Sequence, residues 1–181
     1  MLGESGVGKT CVITIYTTGK FSEFAKPTIG AAFLTKEVKF NDTNFDLMIW
    51  DTAGQEEYRG LAPMYYRNAS VAIVMFDVTN EATFDAIDYW LKDLNDNAGT
   101  DINIVLCANK IDKSEDRIQE ARIMEFARAH GTSYVETSAL TGEGVDMLFQ
   151  EAVKSFAKSK RVPASALSGS QPAQKESSVC F

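Results

Sequence analysis

The chain is predicted to be an α/β domain, a mostly parallel sheet with its ligand loops at the carboxyl ends of the strands. Three observations carry that prediction. Residues 71–78 and 102–108 are near-continuous apolar runs, of the kind buried on both faces of a parallel sheet. Segments with apolar residues at three- and four-residue intervals fall between and after these runs. The third observation is residues 3–10, GESGVGKT, which fit G-x-x-x-x-G-K-[ST]. Such a loop has backbone N–H groups and a lysine spaced to hold a nucleotide's phosphates.

In chain order, residues 9–18 read as a short helix opening at the phosphate loop, so that its positive dipole end faces the anion. A phosphate loop normally follows a buried strand. Here only Met1 and Leu2 precede it, so the first strand is expected to be missing. Residues 20–30 contain Pro27 and Gly30 and read as a loop. Residues 35–40 and 45–50 read as two strands, with Phe45, Leu47 and Ile49 alternating, and Asn41, Asp42, Thr43 and Asn44 make the hairpin turn between them. Residues 51–63, with Gly54 and Gly60, read as irregular.

Beyond the run at 71–78, Phe84, Ile87, Leu91 and Leu94 share one helix face. After 102–108, Ile123, Phe126, Ala127 and His130 share another, with Gly131 as the helix stop. Residues 133–136 are the expected last strand, and Val145, Leu148, Phe149, Ala152, Val153 and Phe156 mark the last helix. His130 is expected to be structural, and Cys11 and Cys107 to be core residues. From about residue 157 the composition shifts to Ser, Ala, Pro, Gln and Lys. The expected division is therefore a domain at 1–157 and a disordered tail at 158–181.

A chain of 181 residues with 45% hydrophobic and 24% charged content suits one globular domain. The net charge of -7 argues against nucleic acid as a partner, so the phosphates belong to a small ligand. Cys11, Cys107 and Cys180 are odd in number and form no C-x-x-C pair, which suits a reducing, cytoplasmic compartment. No apolar run approaches the ~18 residues of a membrane span, and the amino terminus has no signal core.

Four further segments fall where strands should end: Thr28 in the first loop, Asp51-Thr52-Ala53-Gly54-Gln55-Glu56, Asn109-Lys110-Ile111-Asp112, and Glu136-Thr137-Ser138-Ala139. Lys9 is placed to neutralise charge between β- and γ-phosphates, and the Thr10 hydroxyl to ligate Mg²⁺. Gly54 can adopt angles that bring its N–H to a γ-phosphate. Asp112 can accept two hydrogen bonds from guanine, where adenine offers no such donors, which selects GTP over ATP.

With the phosphate loop, these segments resemble the five nucleotide-binding motifs of the Ras superfamily of small GTPases. Residues 28–35, TIGAAFLT, with 61–67, LAPMYYR, and 77–81, DVTNE, resemble the Rab family and most closely its early-endosomal members. The resemblance covers residues 1 to about 157. It implies a Ras-like P-loop NTPase fold, a three-layer sandwich with one antiparallel edge strand. It implies GTP and GDP as ligands, bound by Gly3, Glu4, Ser5, Gly6, Val7, Gly8, Lys9, Thr10, Cys11, Phe21, Thr28, Gly54, Asn109, Lys110, Asp112, Ser138, Ala139 and Leu140. Asn109 braces the loop, Lys110 and Phe21 sandwich the base, and the Ala139 N–H reaches the guanine oxygen. Thr10, Thr28 and Asp51, the last through a water, hold Mg²⁺. Gln55 orients the attacking water and, with Lys9, forms the catalytic pair. Phe33, Trp50 and Tyr65 match an aromatic trio that effectors contact.

By the same resemblance the chain is expected to be a monomeric vesicle-trafficking switch, served by an exchange factor, a GTPase-activating protein and effectors, and cycling between cytoplasm and the cytosolic face of endomembranes, the early endosome among them. Cys180 is penultimate, and a C-a-a-X box would need cysteine where Ser178 stands, so its prenylation rests on family analogy alone. Glu57 and Leu140 depart from the family pattern, which has arginine and lysine there. In the family's sheet the missing strand is central. About four to six apolar side chains at ~1.5–3 kcal/mol each would be lost with it, which is comparable with a total stability of ~5–15 kcal/mol, so poor folding and weak nucleotide retention are expected. The alternatives are a non-hydrolysing guanine-nucleotide module and an ATP-using P-loop enzyme, against which Gln55 and Asp112 respectively weigh.

Overall fold

The computed structural model describes residues 1–22, 26–98, 102–114, 116–159 and 178–181. In chain order the elements are β1 (Leu2–Gly3), α1 (Lys9–Thr18), β2 (Ala31–Phe40), β3 (Thr43–Thr52), a 3-10 turn (Glu56–Leu61), α2 (Ala62–Tyr66), β4 (Val71–Asp77), α3 (Glu81–Asp85), α4 (Ile87–Asn97), β5 (Asn103–Asn109), α5 (Glu120–Ala129), β6 (Ser133–Thr137), α6 (Val145–Ser159) and β7 (Ser178–Cys180). Strands β1, β4, β5 and β6 are adjacent in that order and parallel. β2 runs antiparallel to β3 from Ala31 opposite Thr52 to Phe40 opposite Thr43, and β7 lies parallel on the other side of β3. The fold is therefore the expected Ras-like α/β sandwich, with β1, β4, β5 and β6 in one parallel sheet and β2, β3 and β7 in a second that holds the antiparallel pair.

Residue alternation along the strands builds the two cores. Phe45, Leu47 and Ile49 of β3 and Val71, Ile73 and Met75 of β4 face α1 and α6, where they meet Val12, Ile13, Leu148, Phe149 and Val153. Ala72, Val74 and Phe76 face the opposite layer, with Phe84 of α3, Trp90 and Leu94 of α4 and Ile123 of α5. β4 is buried along its whole length, as its unbroken apolar run requires. Tyr16 of α1 stacks on Phe149 of α6 with ring centroids 3.7 Å apart, which ties the two helices of one layer together. α1 spans the expected residues because both ends are fixed by left-handed glycines, Gly8 at φ 100 and Gly19 at φ 70. The hairpin turns tightly through Asn41 and Asp42, both at positive φ, so the ladder runs further in both directions than the alternating stretches suggested.

Two expectations are corrected. The first strand is not wholly missing: Leu2 and Gly3 pair with Val74 and Met75 of β4. Nor is the tail irregular to its end. Lys158 and Ser159 extend α6, and Ser178, Val179 and Cys180 pair with Asp46, Leu47 and Met48 of β3. The physical reason is burial: Val179 and Phe181 are closed from solvent among the residues of the α1 and α6 face. Burial of two such side chains is worth roughly 3–6 kcal/mol on the transfer scale. Residues 160–177, which hold the rest of the expected tail, lie outside the described residues. No helix among the described residues is long and apolar enough to cross a membrane.

Phe149 is fully buried between the sheet and Tyr16. Replacing it with alanine is expected to destabilise the protein by about 3–5 kcal/mol, read from denaturant titration. A loss under about 1 kcal/mol would show that this layer is not a packed core.

Candidate functional site

The carboxyl ends of β1, β3, β5 and β6 open on one edge of the sheet, and the residues singled out from the sequence collect there. The phosphate loop runs from β1 into α1, with Gly8 as its last residue. A Cβ on Gly8 would run into the Asn109 amide, and one on Gly3 into the Met75 carbonyl oxygen, so both positions require glycine for space as well as for their positive φ. Lys9 is only 6% exposed. Its Nζ donates to the Gly3 carbonyl at 2.7 Å and the Glu4 carbonyl at 2.8 Å, folding the ammonium over the loop's own backbone. Burial pulls the Lys9 pKa down from 10.5 to about 8, against the opposing pull of Asp51 and Glu4. Gly54, just beyond β3, closes on the same loop: a Cβ there would lie 2.5 Å from the Glu4 carbonyl and collide with Lys9 Nζ.

Beside Lys9, three oxygen-bearing side chains from three elements meet. Thr10 Oγ1 donates to Asp51 Oδ2 at 2.7 Å, Thr28 Oγ1 donates to the same oxygen at 3.2 Å, and the two hydroxyls lie 2.8 Å apart. Asp51 is 2% exposed, yet its Oδ1 has no hydrogen-bond partner. A buried carboxylate oxygen left unpaired is costly, and with two hydroxyls alongside it makes a hard, all-oxygen donor set.

At the far end of the edge Asn109 acts as a brace. It is buried, its Nδ2 donates to the Val7 carbonyl at 2.8 Å, and its Oδ1 accepts from Thr137 Oγ1 at 3.0 Å and the Ala139 N–H at 3.3 Å. One amide thus joins the phosphate loop, β5 and the loop after β6. Ser138 Oγ donates to Asp112 Oδ1 at 2.5 Å, which holds that carboxylate beside the Ala139 backbone. Lys110 takes a positive φ of 72 and pairs its Nζ with Asp77 Oδ2 at 2.7 Å. Burial pushes the Asp77 carboxyl up, but Lys110 and the N–H and hydroxyl of Thr79 outweigh it and hold the pKa below the usual carboxylate value. Phe21 and Leu140 stand at the rim, 36% and 53% exposed. Cys11 is half-buried one residue after Thr10, with burial raising its thiol pKa.

The aromatic trio assembles on the β2–β3 surface, with ring centroids 4.9 Å apart for Phe33 and Trp50 and 5.4 Å for Trp50 and Tyr65. Gln55 caps the 3-10 turn directly after Gly54. Cys180 lies half-buried within β7 rather than on a free tail. Two features escaped the sequence reading. The Glu4 carboxylate takes two hydrogen bonds at 2.7 Å from Arg59 of the 3-10 turn and one at 3.3 Å from Trp90 Nε1 of α4. Thr137 is the buried partner that orients Asn109. Thr137 lies in a segment the sequence singled out, but neither pairing carries a linear signal, because each contact joins residues far apart in the chain.

Replacing Asn109 with alanine leaves the Val7 carbonyl and the Ala139 N–H without their shared partner. It is expected to cost about 1–3 kcal/mol in urea unfolding; no measurable loss would show that the brace is not formed in solution.

The model of the Ras family matches residues 1–158 of the chain. The chain is 42% identical over 159 residues to the Ras-related protein Rab-5A of Dictyostelium discoideum, covering 87% of this chain and 79% of that protein. It is 43% identical over 157 residues to the GTP-binding protein YPT53 of Saccharomyces cerevisiae, covering 83% and 71%. The chain therefore belongs to the Ras family, as a GTP-binding, GTP-hydrolysing small GTPase of the Rab kind.

Proposed function

We propose that this GTPase is a slow molecular switch of vesicle trafficking on the endocytic route, acting as a monomer on the cytosolic face of endomembranes and at the early endosome. The observation that carries the reading is the meeting of Thr10, Thr28 and Asp51 beside a buried Lys9, with one carboxylate oxygen unsatisfied. These three residues would hold Mg²⁺, Asp51 through a water, and the ion when bound supplies positive charge to the β- and γ-phosphate oxygens. Because Thr28 belongs to a loop and not to the scaffold, loss of the γ-phosphate removes what holds it in, and that difference is the switch.

The remaining roles fall to groups on this chain. Residues 3–11 cradle the phosphates with backbone N–H groups, Lys9 leaves its backbone carbonyls for the β,γ-bridge, and the Gly54 N–H meets the γ-phosphate. Gln55 orients the attacking water. Asp112 accepts from the guanine N1–H and amine, Ala139 donates to the guanine oxygen, Ser138 fixes Asp112, and Phe21 with the Lys110 stem covers the two faces of the base. Leu140 supports this rim only through its backbone. The first loop carries no arginine to serve as a finger in cis, so fast turnover needs an activating protein. An exchange factor and effectors complete the cycle, effectors meeting Phe33, Trp50 and Tyr65. A prenyl group on Cys180 would attach the chain reversibly, since a single lipid chain binds weakly. The intact set of Lys9, Thr28 and Gln55 weighs against a non-hydrolysing module.

Gln55→Leu is expected to cut single-turnover GTP hydrolysis by at least ~10-fold while GTP stays bound; an unchanged rate would refute its role. Lys9 supplies a pH test. Its pKa is about 8 without ligand, and adjacent phosphates restore the ammonium toward its ordinary value. GDP binding at pH 8.5 should therefore take up roughly 0.7 proton, read by calorimetry in two buffers of different ionisation enthalpy, and affinity should fall as pH rises from 8 toward 10. Binding without proton uptake would mean that Lys9 does not meet the phosphates.

A further inference from the structure

Glu4 of the phosphate loop is gripped twice by the segment that follows β3. Gly54 lies against its backbone, so close that a Cβ there would stand 2.5 Å from the Glu4 carbonyl. Further along, in the 3-10 turn, Arg59 Nη2 donates to both oxygens of the Glu4 carboxylate at 2.7 Å. Gln55 lies between these two contacts, so residues 54–59 form a short loop closed at both ends on one residue.

The turn at Glu56–Leu61 has little else to hold it. None of its six residues is buried. Among the described residues, the pair with Glu4 is its only side-chain hydrogen bond to another part of the domain. Its backbone closes on itself, the Tyr58 N–H donating to the Gln55 carbonyl at 3.0 Å.

The anchor, by contrast, is firmly seated. Trp90 of α4 is fully buried, and its Nε1 donates to Glu4 Oε1 at 3.3 Å, which fixes the carboxylate from the core side. The Arg59 guanidinium also lies over the Tyr89 ring, 4.9 Å from its centroid. Both side chains of the ion pair are less than a quarter exposed, so solvent screens their attraction less than at an open surface.

We propose that Arg59 is a positioning residue for GTP hydrolysis: through Glu4 it pins the 3-10 turn to the phosphate loop and so holds Gln55 in place. The role rests on the reading of Gln55 as the group that orients the attacking water. A loop fixed only at Gly54 keeps its conformational freedom, and that freedom must be lost again each time Gln55 meets a water. Closing the loop at Arg59 removes this cost beforehand. The planar guanidinium suits the task, because it bonds a carboxylate and lies on an aromatic ring at once, which a lysine ammonium does less well.

The test compares the full chain with Arg59→Gln in two measurements. In amide hydrogen exchange with Mg²⁺ and a non-hydrolysable GTP analogue bound, Tyr58 should lose at least ~5-fold of its protection, while Val105 and Leu106 of β5 keep theirs; unchanged protection at Tyr58 would overturn the proposal. In single-turnover hydrolysis of preloaded GTP, which does not depend on affinity, Arg59→Gln should be at least ~5-fold slower. The same change made in Gln55→Leu should slow it by less than about 2-fold, since the two residues act as a unit. A full further loss in that background would mean that Arg59 does not act through Gln55, and an unchanged rate in Arg59→Gln beside a slowed Gln55→Leu would overturn the proposal while leaving the Gln55 reading intact. If Gln55→Leu alone is not slowed, the Gln55 reading falls and the hydrolysis role of Arg59 with it, whatever Tyr58 shows. Should Arg59→Gln fail to fold, Arg59→Lys decides by the same measurements, with a loss of at least ~2-fold expected because the charge stays and the ring contact weakens.

Discussion

The site hangs from two residues. β1 is only Leu2 and Gly3, and every group that could grip a phosphate follows from where its carboxyl end lies between β3 and β4. A strand in that position needs backbone partners on both sides, because buried N–H and C=O groups left unpaired are costly. Leu2 and Gly3 obtain them from β4, and Met1 obtains them from β3 through the Trp50 carbonyl and the Thr52 hydroxyl. Residues 178–181 pair along β3, and the Ser70 N–H before β4 donates to the Cys180 carbonyl.

From that anchor the polar cluster follows in sequence. Gly3 allows β1 to pass close against Met75, which sets the loop; the loop sets Lys9 over its own carbonyls; Gly54 then closes on Lys9 and Glu4. Asn109 ties Val7 to β6 from the opposite side. The result is a buried cation, Lys9, held by backbone carbonyls, and a buried carboxylate, Asp51, one of whose oxygens has no protein partner. Low dielectric makes such unmet capacity strong, and it is the physical ground for anion and cation binding at adjacent points. Arg59 and Trp90 on Glu4 add a link from the loop to the 3-10 turn and α4, so movement of that turn has a direct path to the phosphate loop.

Much of this was legible in the sequence for local reasons. α1 is bounded by glycines that only one backbone conformation uses, and β4 and β5 are apolar runs too short for helices and too continuous for half-buried strands. The five loop segments declared themselves because each combines a strand end with a residue type whose chemistry is specific. What was not legible is non-local. β2 begins at Ala31, in a stretch with no alternation, because its partner residues on β3 dictate the ladder. The Glu4–Arg59 pair joins residues 55 apart. The tail's last residues sit in a composition that argues for disorder, and their strand is defined by non-local pairing with Asp46, Leu47 and Met48 of β3. His130 shows a milder case: its ring lies on Phe126 with centroids 4.2 Å apart at a half-exposed helix end, a structural role reached on the rim of the core.

The central claim is that one cluster of strand-end loops clasps a guanine nucleotide's phosphates and its base at once. The most direct measurement is titration calorimetry of the whole chain with GDP and with ADP, each with and without Mg²⁺. The account predicts one-to-one GDP binding that tightens with Mg²⁺, and ADP binding weaker by at least ~1,000-fold, as expected when a buried carboxylate is left unpaired by the wrong base. Equal affinities for the two nucleotides, or GDP binding indifferent to Mg²⁺, would contradict it.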